Sequence, residues 1–237
     1  MISVCMCTYN GAKYIKEQVE SILRELTEDD ELIVSDDGSV DDTLQIIEKF
    51  NDSRVKILHS TAHSPIYNFE YALMHAKGDY IFLSDQDDVW NKGRVKEALR
   101  LHQEFHKDLV LCNAELIDQN GVVFDKSFIK SDDPTDHTLL KNLIHNPYTG
   151  NCMSFSRRLL HYILPFPKGI AMHDIWIGLV AQKYLNCAYC PIPLVKFRRH
   201  GQNFTAKHKC SFKYKILYRL KFIKEIYCLS KSKVNVR

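Results

Sequence analysis

Three carboxylates fall within four positions at Asp85, Asp87 and Asp88, directly after the apolar run Tyr80-Ile81-Phe82-Leu83 and just before Trp90. Along an extended strand successive side chains leave opposite faces, so Asp85 and Asp87 share a face and Asp88 points away. Like charges held this close repel one another unless water solvates them or a cation sits between them. Hard divalent cations such as Mg²⁺ and Mn²⁺ take oxygen ligands and keep coordination positions for substrate phosphates. The stretch therefore reads as a metal–diphosphate site at the carboxyl end of a buried strand. Taken alone, it reads equally well as an acidic surface turn.

The surrounding elements decide between the two. Ile2 to Cys7 is a short buried strand ending in the turn Thr8-Tyr9-Asn10-Gly11, and an amphipathic helix follows through Leu26. A second strand, Glu31 to Ser35, runs into Asp36-Asp37-Gly38-Ser39, after which Asp41 or Asp42 caps a helix carrying Leu44, Ile47 and Phe50. Val55 to Leu58 is a third strand, Asn68 to Ala76 a helix closed by Gly78, and Tyr80 to Ser84 a fourth strand. Strand alternating with helix predicts right-handed crossovers and a mainly parallel α/β sheet with helices on both faces. Ligands bind such sheets outside the carboxyl ends of the strands. Each polar cluster follows a strand directly, so all three converge on one edge.

The second half is less regular. A helix near Lys92 to Phe105 precedes the strand Leu109 to Cys112, and Asn120-Gly121 marks a hairpin within Glu115 to Phe128. Lys130 to Asp136 reads as a loop. Helices are expected near Leu139 to Ile144, Arg157 to Ile163 and Ala171 to Tyr184, and a proline-interrupted strand over Cys187 to Val195.

At 237 residues the chain can bury a full core, and its composition excludes disordered and fibrous classes. The net charge of +3 hides an asymmetry: from Lys207 onward Glu225 is the only acidic residue. The eight cysteines are scattered, with Cys5, Cys7, Cys112 and Cys152 in apolar runs, as expected of buried thiols in a reducing compartment. Cys187 and Cys190 form a lone C-x-x-C pair, too little for a zinc site. The N-terminus has no signal-peptide pattern and no apolar run reaches membrane-spanning length, so a cytoplasmic location is expected. Neither G-x-x-x-x-G-K-[ST] nor G-x-G-x-x-G follows the first strand, which leaves a metal to supply the positive charge at a diphosphate.

Val4 to Gly11, Asp36 to Asp41, Asp85 to Trp90 and Met172-His173-Asp174-Ile175-Trp176, in that order, resemble the family 2 glycosyltransferases of the GT-A fold. The Ser-Asp-Gln-Asp-Asp-Val-Trp and His-Asp-Ile-Trp forms are most similar to the bacterial rhamnosyltransferase-like branch, which builds surface polysaccharides. The resemblance implies a Rossmann-like GT-A domain over residues 1–205, its nucleotide-binding half about 1–112 and its acceptor half about 113–205; residues 206–237 beyond it read as a basic amphipathic helical tail. It implies that Thr8, Tyr9 and Asn10 wrap the nucleotide, Tyr9 stacking on the base. Asp37 would accept from the N3–H of uracil or thymine, with Asp36 nearby. Asp85 and Asp87 match the family's D-x-D element, which holds the ribose and a Mn²⁺ or Mg²⁺ ion; Asp88 is an equally available ligand.

An inverting transfer needs a carboxylate beyond the sugar to take the acceptor's proton, and Asp174 matches that position. Its other reading is a helix N-cap. The family commonly has Glu before this Asp, whereas His173 stands here. Trp176 is implied as an acceptor platform, with a core Trp as the alternative, and His200 as a further metal or phosphate contact. The implied activity moves a sugar from a UDP- or dTDP-sugar, dTDP-rhamnose among them, to a glycan or lipid-linked acceptor. The tail interleaves bases with Phe212, Ile216, Leu217, Leu220, Ile223 and Tyr227, which suits a peripheral contact with anionic lipid headgroups at the inner membrane surface, or packing on the domain. No nucleic-acid motif accompanies the charge. Two alternatives remain. Asp85 to Val89 also resembles the D-x-D-x-[TV] loop of haloacid-dehalogenase-like phosphatases, and a non-catalytic sugar-nucleotide-binding protein would carry the same clusters.

Overall fold

The structure, a computed structural model, describes residues 1–130, 133–201 and 212–233, and in the last helix the side chains of residues 216–229. The first half alternates strand and helix: β1 (Ile2–Thr8), α1 (Ile15–Leu23), β2 (Glu31–Asp36), α2 (Thr43–Glu48), β3 (Val55–His59), α3 (Pro65–His75) and β4 (Tyr80–Asp85). β1 pairs in parallel with both β2 and β4, and β2 with β3. The second half adds β5 (Val89–Trp90), α4 (Arg94–Glu104), β6 (Leu109–Ile117), β7 (Val123–Asp125), α5 (Leu139–Ile144), β8 (Met153–Ser156), α6 (Arg158–Ile163), α7 (His173–Tyr184), β9 (Cys187–Arg198) and α8 (Phe212–Lys233). Among the described residues these make one nine-stranded sheet, ordered β3-β2-β1-β4-β8-β6-β9-β5 with β7 on β6.

Period-two alternation divides the core between the two faces of this sheet. Val4, Met6, Leu32, Val34 and Phe82 pack with Ile15, Val19 and Ile22 of α1, Ile47 of α2 and Val95 of α4. Their neighbours Cys5, Ile33, Ile81 and Leu83 pack on the other face, with Phe69 and Leu73 of α3 and with α6 and α7. This is the expected mainly parallel α/β sheet covered on both sides. β8 breaks the parallel pattern: it lies antiparallel between β4 and β6.

Several local expectations are revised. α3 starts at Pro65, three residues before the expected Asn68, because proline's fixed φ suits the first helical turn. Gly78 is not the cap of α3, whose C-cap is Ala76 in an extended conformation. A Cβ on Gly78 would stand 2.6 Å from the Ile2 carbonyl carbon and against the Ser3 nitrogen, so glycine lets the chain cross the start of β1. The Asn120-Gly121 hairpin forms as expected, with Gly121 at φ +85° and β7 returning antiparallel on β6.

α8 lies on the body. Its Phe222 and Ile226 are buried, Phe222 stacks on Trp176 at 6.3 Å between centroids, and the Tyr184 hydroxyl donates to the Ile226 carbonyl at 2.5 Å. Arg219 donates to the carbonyls of Leu143 and Ile144 at the end of α5. Its other side exposes Ile216, Leu217, Leu220, Ile223 and Tyr227. Among the described residues no helix is long and apolar enough to cross a membrane.

Candidate active site

A cavity of about 860 Å³ opens at the carboxyl ends of β1, β2 and β4, with the N-terminal turns of α3 and α7 on its border. The β1 and β2 ends shape one wall. Thr8 donates its hydroxyl to Asp36 at 2.8 Å, and the Asp36 carboxylate also accepts from Gly38 N, Ser39 N and Ser39 Oγ. Asp36 is 1 % exposed and does not border the cavity, so it organises the turn, while Asp37 reaches the cavity border. Asp37 accepts from His63 N and Ser64 N, both at 2.9 Å, anchoring the approach to α3. Asn10, at φ +49°, accepts from Val40 N through its side chain, while its own N–H donates to Ser39. Tyr9 is exposed, and its backbone is gripped on both sides by the Gln86 amide: Tyr9 N donates to Oε1 at 2.9 Å and Nε2 donates to Tyr9 O at 3.1 Å. Gly11 is needed beside this grip, because a Cβ there would run into the Gln86 amide.

At the end of β4, Asp85 and Asp87 border the cavity. Burial, and then the neighbouring Asp87 and Asp174 carboxylates, push Asp85 up to about 7. Asp87 Oδ2 lies 2.8 Å from His200 Nε2, and the His200 ring stacks on Tyr14 at 5.1 Å. Asp88 goes the other way. Fully buried, it accepts from Arg198 N at 2.8 Å and from the Asn151 side-chain amide. The place expected for it among the cation's ligands is corrected: in the turn between β4 and β5 Asp88 points into the interior, where Arg198 N and Asn151 hold it off the cavity border. There burial, then Asp87 and Asp85, hold its carboxyl well above the usual range. Arg198 closes this region, donating Nε to Asp87 O at 2.7 Å and pairing with Glu17 at 2.7 Å.

The cavity's far border comes from α7. Its cap position is Met172, so Asp174 sits in the first turn and is not the N-cap; its Oδ1 accepts from Ile175 N at 2.7 Å. Burial pushes Asp174 up to about 6. Trp176, expected as an acceptor platform, is instead a core residue: it is fully buried and donates Nε1–H to Ile163 O at 3.0 Å. The sequence reading missed Tyr14, His63, Asn68, Phe69 and Gly150, all on the border. One of them left a legible trace. Asn68 is a polar residue on the apolar face of α3, and it is buried with its amide donating to Ser35 O.

Asp87 and His200 bring a carboxylate oxygen and an imidazole nitrogen within 2.8 Å of each other, in a cavity crowded with carboxylates. Among the described residues no three His, Cys, Asp or Glu side chains converge as a closed ligand cage. A donor set with few protein ligands fits a cation that takes its remaining ligands from a diphosphate and water, as Mg²⁺ and Mn²⁺ do.

A mainly parallel sheet with its polar strand ends facing one cavity, two carboxylates at and just past the end of β4 and a third across from them on α7 define a glycosyltransferase of the GT-A fold. Residues 3–164 match the profile of Glycosyl transferase family 2, and the chain belongs to that family. Among similar proteins, the poly(ribitol-phosphate) beta-N-acetylglucosaminyltransferase TarS of Staphylococcus aureus is 33 % identical over 60 % of this chain, which spans only 25 % of TarS. The Escherichia coli UDP-Glc:alpha-D-GlcNAc-diphosphoundecaprenol beta-1,3-glucosyltransferase WfgD is 26 % identical over 84 % of this chain and 77 % of its own. The dTDP-rhamnosyl transferase RfbG of Shigella flexneri is 35 % identical over 50 % and 42 %; this similarity agrees with the resemblance to the rhamnosyltransferase-like branch. The crystal structure of TarS residues 1–349 with UDP-GlcNAc superposes with a TM-score of 0.78 at 24 % identity, covering 94 % of this chain and 66 % of that one. The mannosyltransferase PcManGT of Pyrobaculum calidifontis with GDP-Man and Mn²⁺ gives 0.60 at 16 % identity, covering 100 % and 75 %. At these identities the superpositions speak for the fold alone. Family membership sets aside the phosphatase alternative.

Proposed function

We propose that this chain is a metal-dependent, inverting glycosyltransferase that uses a UDP- or dTDP-sugar and acts on a glycan or lipid-linked acceptor in bacterial surface polysaccharide synthesis. The observation that carries the proposal is the placement of Asp174 on the border of the same cavity as Asp85 and Asp87, within electrostatic reach of Asp85. Asp37 and Tyr9 suit the base. The Asp37 oxygens keep lone pairs beyond those used by His63 and Ser64, and the exposed Tyr9 ring is open to stacking. Asp85 and Asp87, with His200, would hold the ribose and an Mn²⁺ or Mg²⁺ ion; when bound, the ion offsets charge growing on the departing nucleoside diphosphate. Asp174 takes the acceptor's proton. A carboxylate raised toward neutrality is a stronger base than an ordinary one and stays ionised at the pH of a cell. The TarS structure holds UDP-GlcNAc and RfbG is named a dTDP-rhamnosyl transferase, which supports a uracil or thymine nucleotide without choosing the sugar.

The exposed apolar side of α8, on a segment with Glu225 as its lone acid, supports peripheral attachment at the cytoplasmic face of a membrane. The test of the catalytic reading is a thermal-shift screen of UDP and dTDP with and without Mn²⁺, followed by turnover of their sugars. Stabilisation that needs the metal, with sugar release lost in Asp174→Asn, supports the reading. No stabilisation by any nucleotide overturns it.

A further inference from the structure

Two histidines of this chain are each 4 % exposed, His102 and His173. His102 is what a structural histidine looks like: its two ring nitrogens pair with Lys107 O at 2.6 Å and Ser154 Oγ at 2.9 Å. His173 has neither bond. Among the described residues Nδ1 and Nε2 are both buried without a hydrogen-bond partner, although the ring is held in place by stacking on Phe69 at 4.1 Å between centroids. Buried polar atoms are nearly always paired, so two orphans on one fixed ring call for a missing partner. The ring borders the cavity, next in sequence to Asp174. Its Nε2 faces Gly150, also on the border, where an added Cβ would stand 3.0 Å from Nε2 and 3.9 Å from Asp174 Cβ. The backbone is thus bare of side chain between the imidazole and the proposed base.

The chemistry of the ring narrows the partner. Burial pushes His173 down to about 3, so it is neutral and offers one N–H donor and one bare nitrogen acceptor. A phosphate or carboxylate would gain no charge from it and would be repelled by Asp174. A hydroxyl can meet Nε2 in either tautomer, donating to it when it is bare and accepting from it when it carries the proton, and hydroxyls are what sugars present.

We propose that His173 is a specificity-determining residue that reads a sugar hydroxyl beside Asp174, the hydroxyl belonging to the donor's sugar or to the acceptor. The proposal rests on the sugar-transfer reading above. The test uses the full chain and His173→Phe, which keeps a ring on Phe69 and removes both nitrogens. Three measurements are made: melting temperature, the melting shift given by UDP or dTDP against that given by UDP-glucose, UDP-GlcNAc and dTDP-rhamnose, and steady-state transfer with each donor and its monodeoxy analogues. The variant should melt at or above the wild type, because removing unpaired buried nitrogens costs nothing. For a donor hydroxyl, the extra shift from the sugar shrinks in the variant while the shift from the bare nucleotide stays. kcat/KM falls about 10- to 100-fold, and the deoxy analogue that wild type rejects is no longer rejected. For an acceptor hydroxyl, donor binding and acceptor-free hydrolysis are unchanged and only transfer falls by that factor. A variant that matches wild type in binding, transfer and deoxy discrimination overturns the role of His173 alone, as does one that melts well below wild type. Wild-type protein that neither binds nor turns over any donor overturns the sugar-transfer reading, and this proposal with it.

Discussion

The two halves of the sheet solve the same task by different means. In the half built from β1 to β4, the ends of β1, β2 and β4 each deliver a polar cluster, and neighbouring loops lock one another through side chain to backbone bonds such as Val40 N to Asn10 and Tyr9 N to Gln86. In the half built from β6 to β9, the chemistry sits on helix α7, and what fixes it is long-range packing. Gly178 on α7 lies so close to the Tyr148 ring that any side chain there would collide with it. The first half is a locally determined surface, proposed above to bind the donor. The second holds the proposed base and a buried imidazole, on a helix whose position depends on residues far away in sequence. A donor common to many enzymes and an acceptor peculiar to one would produce this division.

The sharpest way to break the comparison is to remove one carboxylate from each half. Asp87→Asn should lose both metal-dependent nucleotide stabilisation and turnover. Asp174→Asn should keep the nucleotide shift yet lose about 10²- to 10⁴-fold in kcat, the range of a general base. If Asp174→Asn abolished nucleotide binding as well, the halves would not be separate in function.

Next in size is stability. Asp88→Ala leaves Arg198 N and the Asn151 amide without their acceptor in the interior, and should cost about 2–4 kcal/mol in a denaturant titration. An Asp88→Ala protein with unchanged stability would sharpen the case for a role at the cavity instead.

The pH response follows from Asp174 and has opposite signs for activity and for stability. Its folded pKa of about 6 lies above the ordinary carboxylate value of 3.8. The proton is therefore bound more tightly in the folded state. The stability it contributes is complete below 3.8 and is lost as pH rises through about 6. Activity needs the ionised form, so kcat should fall about tenfold per pH unit below about 6. Asp174→Asn should accordingly raise the melting temperature at pH 8, by an amount on the order of 1 kcal/mol in stability, and remove from the acid limb the part that Asp174 contributes beside Asp85. The smallest effect expected is on membrane attachment. Replacing exposed Leu220 and Ile223 by Asp should reduce flotation with vesicles containing phosphatidylglycerol a few-fold and leave the already weak flotation with phosphatidylcholine unchanged.

Legibility in the sequence follows the same division. β1, β2 and β4 announce themselves because an apolar run and a polar stop are adjacent, and a strand buried on both faces needs no distant partner to be recognised. β8 has only four residues, and its place depends on β4 and β6 accepting it antiparallel between them, which no local pattern encodes. Asp88 shows both sides of this. Alternation points it away from Asp87, but only Arg198 and Asn151 explain why a carboxylate can stay buried there. Trp176 and Gly78 likewise owe their places to α8 and to the start of β1, partners invisible from their own neighbourhoods.

The Asp88 clasp also bears on how the site opens. One carboxylate ties the end of β4 to an amide 63 residues away and to a backbone N–H 110 residues away, at the end of β9. Loosening either strand end alone leaves a buried carboxyl short of a partner, so the two ends are expected to open together and seldom. In native-state hydrogen exchange the Arg198 amide should then behave as part of the slowest-exchanging core, even though it lies only two residues from His200 at the cavity. The floor beneath the proposed diphosphate site would be among the last parts of the molecule to come apart.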